Sequence, residues 1–224
     1  MAEIGLFDAI HTARALRRFE PDPVPDELIT RILEAAICAP SGGNAQEWIF
    51  AVIADPEQRR RVGAVYARAS KLVRPFYENR PTPAHMNADE ERHLRQSGFY
   101  LDDHMEEAPV LMLVCGRERQ PHGTLLGVDA DSIARNALCT AMASVYPAVQ
   151  NIILACRALG LGTVVTTNHI LLEDEMKAPL GLPDDVRTYA LMPIGYPRDK
   201  FGPMRRKPLS AVAIRDRWGN PWHG

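Results

Sequence analysis

The chain has 224 residues, of which 46% are hydrophobic and 24% charged, and its formal net charge is −2 at pH 7. This length and composition fit one large domain with a packed core. The small net charge gives no reason to expect a nucleic acid or an anionic membrane as a partner. Residues 1–5 lack the basic region and apolar core of a signal peptide, so we expect a cytoplasmic protein.

Cysteine and histidine spacing argues against a metal centre. No C-x-x-C, H-x-x-x-H or H-E-x-x-H pattern occurs, and we therefore predict no bound metal. Buried free thiols in a reducing compartment are favoured over disulfides, because each cysteine stands in an apolar stretch. The cysteines are Cys38, Cys115, Cys139 and Cys156. The longest apolar segment, residues 133–159, carries arginine, asparagine and glutamine, so we expect it to be too polar for a membrane span.

Helical spacing of apolar or charged residues predicts six helices. They cover residues 4–14, 26–39, 57–73, 89–107, 132–159 and 171–180. Residues 74–88 hold three prolines and are predicted as a loop or mobile excursion. The helix over residues 132–159 is apolar over a wide arc, which predicts a central position, and Pro147 is expected to kink or divide it.

Four short runs are apolar or β-branched and are predicted as strands. They cover residues 48–53, 109–115, 163–167 and 187–194. Helices come first and strands separated by helices follow, which predicts an α+β sandwich with a mixed sheet of four or five strands. No repeat or clear linker divides the chain, so residues 1–224 are predicted as a single domain. The polar tail at residues 201–224 still carries apolar side chains, which we expect to pack on something such as a second subunit.

Residues 39–48, with the sequence APSGGNAQEW, lie between a predicted helix and a predicted strand. Backbone N–H groups at Gly42 and Gly43 can approach a ligand closely, and the amides of Asn44 and Gln46 offer donors and acceptors. The segment can therefore wrap a polar heteroaromatic ligand. An ordinary surface turn has the same composition, and the segment alone does not separate the two interpretations.

Arginine clusters occur at residues 14–18 and again at 205–207. Guanidinium groups bind phosphate oxygens in a bidentate way, so either cluster can clamp a phosphate. A solvated surface is the ordinary alternative for such a run.

Taken together and in this order, these segments resemble the FMN-dependent nitroreductase family. That family has R-[ST]-x-R-x-[FY] near the N-terminus, then A-P-S-x-x-N-x-Q-P-W, P-A-x-Q-N, G-L-G-T, L-x-x-x-G-Y-P and a basic tail motif. The corresponding segments here are residues 14–19, 39–48, 147–151, 160–163, 191–197 and 205–209. The resemblance covers residues 4–55 and 107–215. It implies a three-layer sandwich with helices flanking the central sheet, and a homodimer with FMN at the interface.

The resemblance also implies roles for single residues. Arg14 would bind the FMN phosphate, with Arg205 and Arg206 completing that site from the tail, and Arg17 would lie near the phosphate or the N1–O2 edge of the flavin. The segment at residues 40–44 would reach the flavin from the partner subunit, while Thr166 and Thr167 would lie beside the ring near N5. The implied cofactor-binding residues are Arg14, Ala15, Leu16, Arg17, Pro40, Ser41, Gly42, Asn44, Val165, Thr166, Thr167, Arg205 and Arg206.

Three departures from the family pattern stand out. Ala15 replaces the usual Ser or Thr, Glu47 replaces the usual Pro, and residues 71–104 match no known subgroup. In the family this last region forms a lid over the flavin, so we expect acceptor choice to reside there. Its aromatic and sulfur-containing candidates are Phe76, Tyr77, His85, Met86, Phe99 and Tyr100; Phe99 and Tyr100 could instead only anchor a helix. The Glu, Tyr and Lys by which the deiodinase branch grips an amino acid cannot be placed, since Lys71 is the only Lys before Lys177.

The activity that the resemblance implies is a ping-pong transfer of hydride. NAD(P)H would reduce FMN, and an electron-poor small molecule such as a nitroaromatic or a quinone would then be reduced. No catalytic acid or base is assigned, because the flavin carries the difficult chemistry. Alternatives are another flavin enzyme on the same scaffold (a reductive dehalogenase, an enone reductase or a flavin-fragmenting enzyme), a non-catalytic FMN-binding protein, or a structural domain with surface arginines. No G-x-G-x-x-G fingerprint occurs, and the sequence does not choose between NADH and NADPH.

Overall fold

The computed structural model describes residues 4–118 and 127–223. It contains six α-helices and four strands in these ranges. The helices are α1 (Leu6–Thr12), α2 (Asp26–Ala36), α3 (Pro56–Asn79), α4 (Ala88–His104), α5 (Ala130–Ala158) and α6 (Glu173–Lys177). The strands are β1 (Trp48–Ile53), β2 (Val110–Arg117), β3 (Gly162–Thr163) and β4 (Val186–Gly195).

The four strands form one sheet in the order β1-β2-β4-β3, and every pair in it is antiparallel. Four strands in an α+β fold were expected, but the prediction of a mixed sheet is wrong for the described residues. An apolar run reveals that a strand is buried and says nothing of its direction. Val110 pairs with Ile194 at one end of the central ladder, and a bulge interrupts the ladder between Val114 and Cys115.

Helices cover both faces of the sheet, which confirms the predicted three-layer sandwich. Successive side chains of a strand point to opposite faces. Met112 and Val114 of β2 accordingly pack in a cluster with α2 and the C-terminal half of α5, whereas Leu111 and Leu113 pack in a second cluster with α3 and α4. Because β2 is buried on both faces, it reads in the sequence as a continuous apolar run.

Helix α3 extends six residues past its predicted end, to Asn79, and includes Pro75. The predicted loop over residues 74–88 therefore shrinks to residues 80–87. A proline removes one helical hydrogen bond, but here α3 packs against α4, which supports the helix on both sides of Pro75. Helix α4 stops at His104, and a 3-10 turn follows at Met105–Glu107 where a continuing helix was expected.

Helix α5 runs unbroken through Pro147, so the predicted kink or division at that residue is wrong. The expected central position holds only for its C-terminal half, where Val149, Ile152 and Cys156 are buried. In the N-terminal half, Leu138 is 57% exposed in the single chain. By length and composition alone α5 would qualify to cross a membrane, with a mean hydropathy of 1.4 over its best window, so the expectation that it is too polar is not upheld.

Three smaller expectations are also corrected. The strand predicted over residues 163–167 is a two-residue strand, Gly162–Thr163, followed by a single bridge from Thr166 to Leu191. The helix predicted over residues 171–180 is a short α6 between two 3-10 turns. The four cysteines are free as predicted, but Cys38 and Cys139 are exposed, because both lie on helix faces that no other part of the described chain covers.

Candidate functional site

A cavity of about 280 Å³ lies between helices α3 and α4 and the segment that follows β3. We call its buried side the floor, formed by Arg17, Tyr66, Leu101, Asp102 and residues 164–168. The opposite side, here called the roof, is formed by the end of α3 and the first turns of α4. The roof residues are Tyr77, Arg80, Glu91, Leu94, Arg95, Gly98 and Phe99.

The floor contains a hydrogen-bonded pair of buried titratable groups. The hydroxyl of Tyr66 donates to Oδ1 of Asp102 over 3.3 Å, and Ser70 is in hydrogen-bonding contact with both side chains. Burial, reinforced by the charge of Asp102, raises the pKa of Tyr66 to about 12. Burial also raises the pKa of Asp102, although Ser70, Tyr66 and Arg74 partly oppose that shift. The floor thus holds a neutral phenol against a carboxyl group that is costly to ionise.

Arg17 enters the same floor from the segment after α1. Its Nη1 donates to Oγ of Ser97 over 3.4 Å. Burial lowers the pKa of the Arg17 guanidinium, while the nearby Tyr66 and Asp102 act to raise it. Even so, an arginine remains charged in a protein at neutral pH. Arg17 therefore brings a positive charge into a largely enclosed, partly apolar site, where it would act strongly on a developing negative charge.

Val165, Thr166 and Thr167 line the cavity beside Arg17. The backbone of Thr166 pairs with Leu191 of β4, and its hydroxyl donates to the Leu191 carbonyl over 2.7 Å. Thr167 is exposed, so its hydroxyl is available to a ligand. Asn168 reaches back to α3, where its side-chain amide donates to Oγ of Ser70 over 3.1 Å. The sheet edge thus fixes the backbone of this segment and presents one hydroxyl to the cavity.

The roof is held together by Arg95. Its guanidinium forms an ion pair of 3.4 Å with the buried Glu91 and donates to the carbonyl of Glu78 at the end of α3 over 3.1 Å. Two of the expected lid residues, Tyr77 and Phe99, line the cavity. Tyr100 instead anchors a helix, since its hydroxyl donates to Glu107 over 2.8 Å.

The segment at residues 40–46 lies away from this cavity within the same chain. The backbone N–H of Gly42 donates to Oγ of Ser144 on α5 over 3.1 Å, so the segment docks on the exposed half of that helix. Its internal bonds run from Gln46 to Ser41 and Asn44, and Gly43 adopts a φ of 61°. Pro40, Gly42 and Asn44 are exposed and Ser41 partly so. In one chain these residues do not join Arg17 and Thr166.

The remaining arginines of the predicted phosphate site are not gathered into one cluster. Arg14 is exposed at the end of α1, close enough to Arg17 to lower its pKa slightly. Arg205 forms an ion pair with Glu90 at the start of α4, and Arg206 donates to the carbonyl of Arg205 over 2.9 Å. The phosphate role of these three stays a prediction.

Leu16 cannot contact a ligand through its side chain, because that side chain is 1% exposed and packs beside Gly162. Its backbone N–H already donates to the carbonyl of Thr163 over 3.1 Å. Ala15, by contrast, is exposed. Of the first motif, Arg14, Ala15 and Arg17 therefore remain candidates for direct contact, and the contribution expected of Leu16 is corrected to anchoring the segment.

Sequence reasoning missed Tyr66, Ser70 and Asp102. These polar groups come from two helices far apart in the sequence, so no local motif joins them. The available signal was the polar pair Tyr66 and Ser70, spaced four residues apart on the apolar face of α3 beside Val62. Within residues 4–118 and 127–223, no group of three or more His, Cys, Asp or Glu side chains converges to hold a metal ion.

The floor has the chemistry that a flavin ring requires. Val164 and Leu101 offer apolar contact, Thr167 offers a hydroxyl, and Arg17 places a cation at one edge. The cavity volume is near the lower end of the range for small-molecule sites, which suits the ring more than a complete flavin nucleotide. The residues present therefore fit the cofactor implied by the resemblance, provided that the phosphate is bound outside the cavity.

Comparison with known proteins identifies the family. The chain is 29% identical over 202 residues to an NADH dehydrogenase of Thermus thermophilus, covering 90% of this chain and 91% of that protein. It is also 29% identical over 210 residues to an iodotyrosine deiodinase of Thermotoga neapolitana, covering 94% and 96%. A solved iodotyrosine deiodinase bound to FMN and 3-iodo-L-tyrosine superposes with a TM-score of 0.68 at 27% identity, covering 95% of this chain and 99% of the other. The family model for the nitroreductase family matches residues 10–196, and the chain belongs to that family.

Proposed function

We propose that the protein is an FMN-dependent oxidoreductase that transfers hydride from NAD(P)H to an electron-poor acceptor, such as a nitroaromatic or a quinone, in a ping-pong reaction. When bound, FMN would supply N5 as the atom that takes up and releases hydride. The observation that carries the proposal is the floor of the cavity, where Arg17 and residues 164–168 combine a cation, a hydroxyl and apolar contact. The nitroreductase family membership supports the same assignment.

Each side chain of the floor has a defined task in this proposal. Arg17 stabilises negative charge at one edge of the ring, because a cation held in a site with little water acts strongly on developing charge. Thr167 donates or accepts a hydrogen bond beside the reacting atom, and the pairing of Thr166 with Leu191 holds the backbone there in place. The roof, opposite the floor, leaves one pocket for the nicotinamide and the acceptor to use in turn.

We also propose that the active form is a homodimer, with residues 40–44 of each chain reaching the cofactor of the other. The exposed N-terminal half of α5, on which that segment docks, supports this arrangement. So does the exposure of Trp218 in the tail, which is 91% in the single chain. Removing residues 202–224 should weaken both dimerisation and FMN retention. A truncated protein that sediments as a dimer with its full flavin content would contradict the role given to the tail.

The first test is the visible spectrum of the purified protein before and after anaerobic addition of NADH or NADPH. A flavin spectrum that bleaches, followed by recovery on addition of a nitroaromatic or a quinone, is the expected result. A flavin spectrum that does not bleach would favour a binding protein or another electron donor. Protein that stays colourless after incubation with FMN would overturn the proposal.

The phosphate site has its own test in Arg14→Ala. Loss of a charge-assisted hydrogen bond to the phosphate should weaken FMN binding by about 1.5–3 kcal/mol. Equilibrium titration of the apoprotein with FMN measures this directly, and riboflavin, which lacks the phosphate, is the matched ligand. Unchanged FMN affinity would remove Arg14 from the site, and an equal loss for riboflavin would show that the change acts elsewhere.

A second candidate is reductive dehalogenation on the same scaffold, which the similarity to an iodotyrosine deiodinase favours. Lys71 is exposed and is not among the residues that line the cavity. Among the described residues of the cavity wall, the cations are arginines. Release of iodide from 3-iodo-L-tyrosine by the dithionite-reduced holoprotein would support this candidate, and turnover of nitroaromatics without iodide release would exclude it.

A further inference from the structure

Arg80 is the one arginine of the roof without a carboxylate partner in the described part of the chain. It follows the last residue of α3 and lines the cavity. Its guanidinium carbon lies 5.7 Å from the centre of the Tyr77 ring, a distance compatible with a cation–π contact. No described Asp or Glu oxygen lies within ion-pair distance of it. The mouth of the cavity therefore carries an unneutralised cation next to an aromatic ring.

The other charges of the cavity wall are already paired. Glu91 and Arg95 neutralise each other at 3.4 Å. Asp102 accepts from Tyr66 and has Arg74 at 3.8 Å. Arg17, on the floor, is the cation that the proposed function assigns to the cofactor. Arg80 is thus the positive charge that remains for a second ligand, and it selects for negative charge in that ligand.

The backbone holds Arg80 in position. Its φ of −70° and ψ of 133° are extended, and the following Pro81 disfavours a return to helix. Arg95 fixes the end of α3 to α4 through the Glu78 carbonyl. The base of the Arg80 side chain is therefore held at the cavity mouth, and only the side chain itself must order on binding, which lowers the entropic cost of recognition.

Aromatic side chains stand beside this cation. Tyr77 is 38% exposed and lines the cavity together with Phe99, whose ring is covered on one side by Arg74 at 4.7 Å. An aromatic ligand can pack against such rings in an offset or edge-on arrangement. We propose, on the basis of the function proposed above, that Arg80 binds the carboxylate of an aromatic electron acceptor whose ring packs against Tyr77 and Phe99.

The test compares 4-nitrobenzoate with 4-nitrobenzamide, which has nearly the same size and no charge. Calorimetric titration of the oxidised holoprotein gives the Kd of each, and steady-state reduction gives each KM. Arg80→Gln should weaken 4-nitrobenzoate in both measurements about tenfold, the lower range for a charge-assisted hydrogen bond at an exposed site. It should weaken 4-nitrobenzamide less than about twofold. Arg80→Lys should recover part of the loss, and added salt should weaken 4-nitrobenzoate binding to the unaltered protein.

Arg92→Gln is the matched control, because Arg92 lies on α4, pairs with Asp89 at 2.9 Å and does not line the cavity. It should leave both ligands unchanged. Equal losses for acid and amide in Arg80→Gln would overturn the proposal. So would a loss confined to the KM of NADPH with NADH unaffected, since Arg80 would then bind a nucleotide phosphate. If the protein reduced neither compound, the proposed function would fail, while the calorimetric difference would still decide the role of Arg80.

Discussion

The floor and the roof of the cavity are built differently. The floor is part of the core: Tyr66 is 2% exposed and Leu101 is 1% exposed, and Thr166 is hydrogen-bonded to the sheet. The roof consists of two helix ends joined by residues 80–87, with Leu94 45% exposed. The floor cannot change without disturbing the fold, whereas the roof can. A generic cofactor chemistry is therefore expected from the floor, and the choice of acceptor from the roof.

Two leucines of α4 line the same cavity and separate the two regions most sharply. Leu101→Ala should lower the free energy of unfolding by about 2–5 kcal/mol, because it leaves a void in the core. Leu94→Ala should lower it by no more than about 0.5 kcal/mol, since this side chain is already half exposed. Urea unfolding of the two variants measures both values. Similar losses for the two would mean that floor and roof unfold as one equally packed unit.

The buried His169 makes the stability of the floor depend on pH. It follows Asn168 of the floor, is 0% exposed, and neither ring nitrogen has a hydrogen-bond partner in the described chain. Burial lowers its pKa to about 4, with Glu173 opposing the shift. The folded state then stays neutral where the unfolded state takes up a proton, so its contribution is present above pH 6.5 and is lost as the pH falls towards 4.

His169→Phe removes this proton linkage and keeps an aromatic ring. The free energy of unfolding of the unaltered protein should fall by roughly 3 kcal/mol more than that of the variant between pH 6.5 and pH 4. Chemical unfolding at several pH values gives the difference, which cancels the groups that both proteins share. Parallel pH profiles would show that the ring takes up a proton in the folded state as easily as in the unfolded chain.

The roof should open by itself when its helix cap is removed. The side chain of Asn87 accepts from the N–H of Glu90 over 2.9 Å, and Glu90 returns the bond to the N–H of Asn87 over 3.1 Å. Asn87→Ala should cost about 1 kcal/mol, seen as faster hydrogen exchange in the first turn of α4 with little change in Tm. Asp55→Ala, which removes the cap of α3, is the contrasting variant and should lower Tm. Equal losses of Tm in both would argue against a separately opening roof.

The sequence predicted the fold where one local pattern sufficed. Apolar runs at β1, β2 and β4 and the start of α2 at Asp26 are found where they were expected. Strand direction and the length of α3 could not be predicted, because pairing partners and helix packing are non-local. Pro75 and Pro147 were interpreted as stops, whereas neighbouring elements hold both helices together.

The candidate site divided along the same line. Arg17 and Thr166 belong to contiguous motifs, and the structure brings them to one cavity. The pair of Tyr66 and Asp102 depends on how α3 lies against α4, which no motif encodes. Arg80 was hidden for another reason: a lone arginine before a proline has no special pattern, and its importance comes only from the pairing of every other charge around it.

The four cysteines offer chemical reporters that require no mutation. Thiol reagents attack the thiolate, and burial raises the pKa of Cys115 to about 12 and raises that of Cys156 as well, which makes both inert in the folded chain. Cys38 and Cys139 are exposed, and Cys139 lies on the open half of α5. The rate at which a maleimide labels Cys139 therefore records, in the native protein, how much of the time that face is covered.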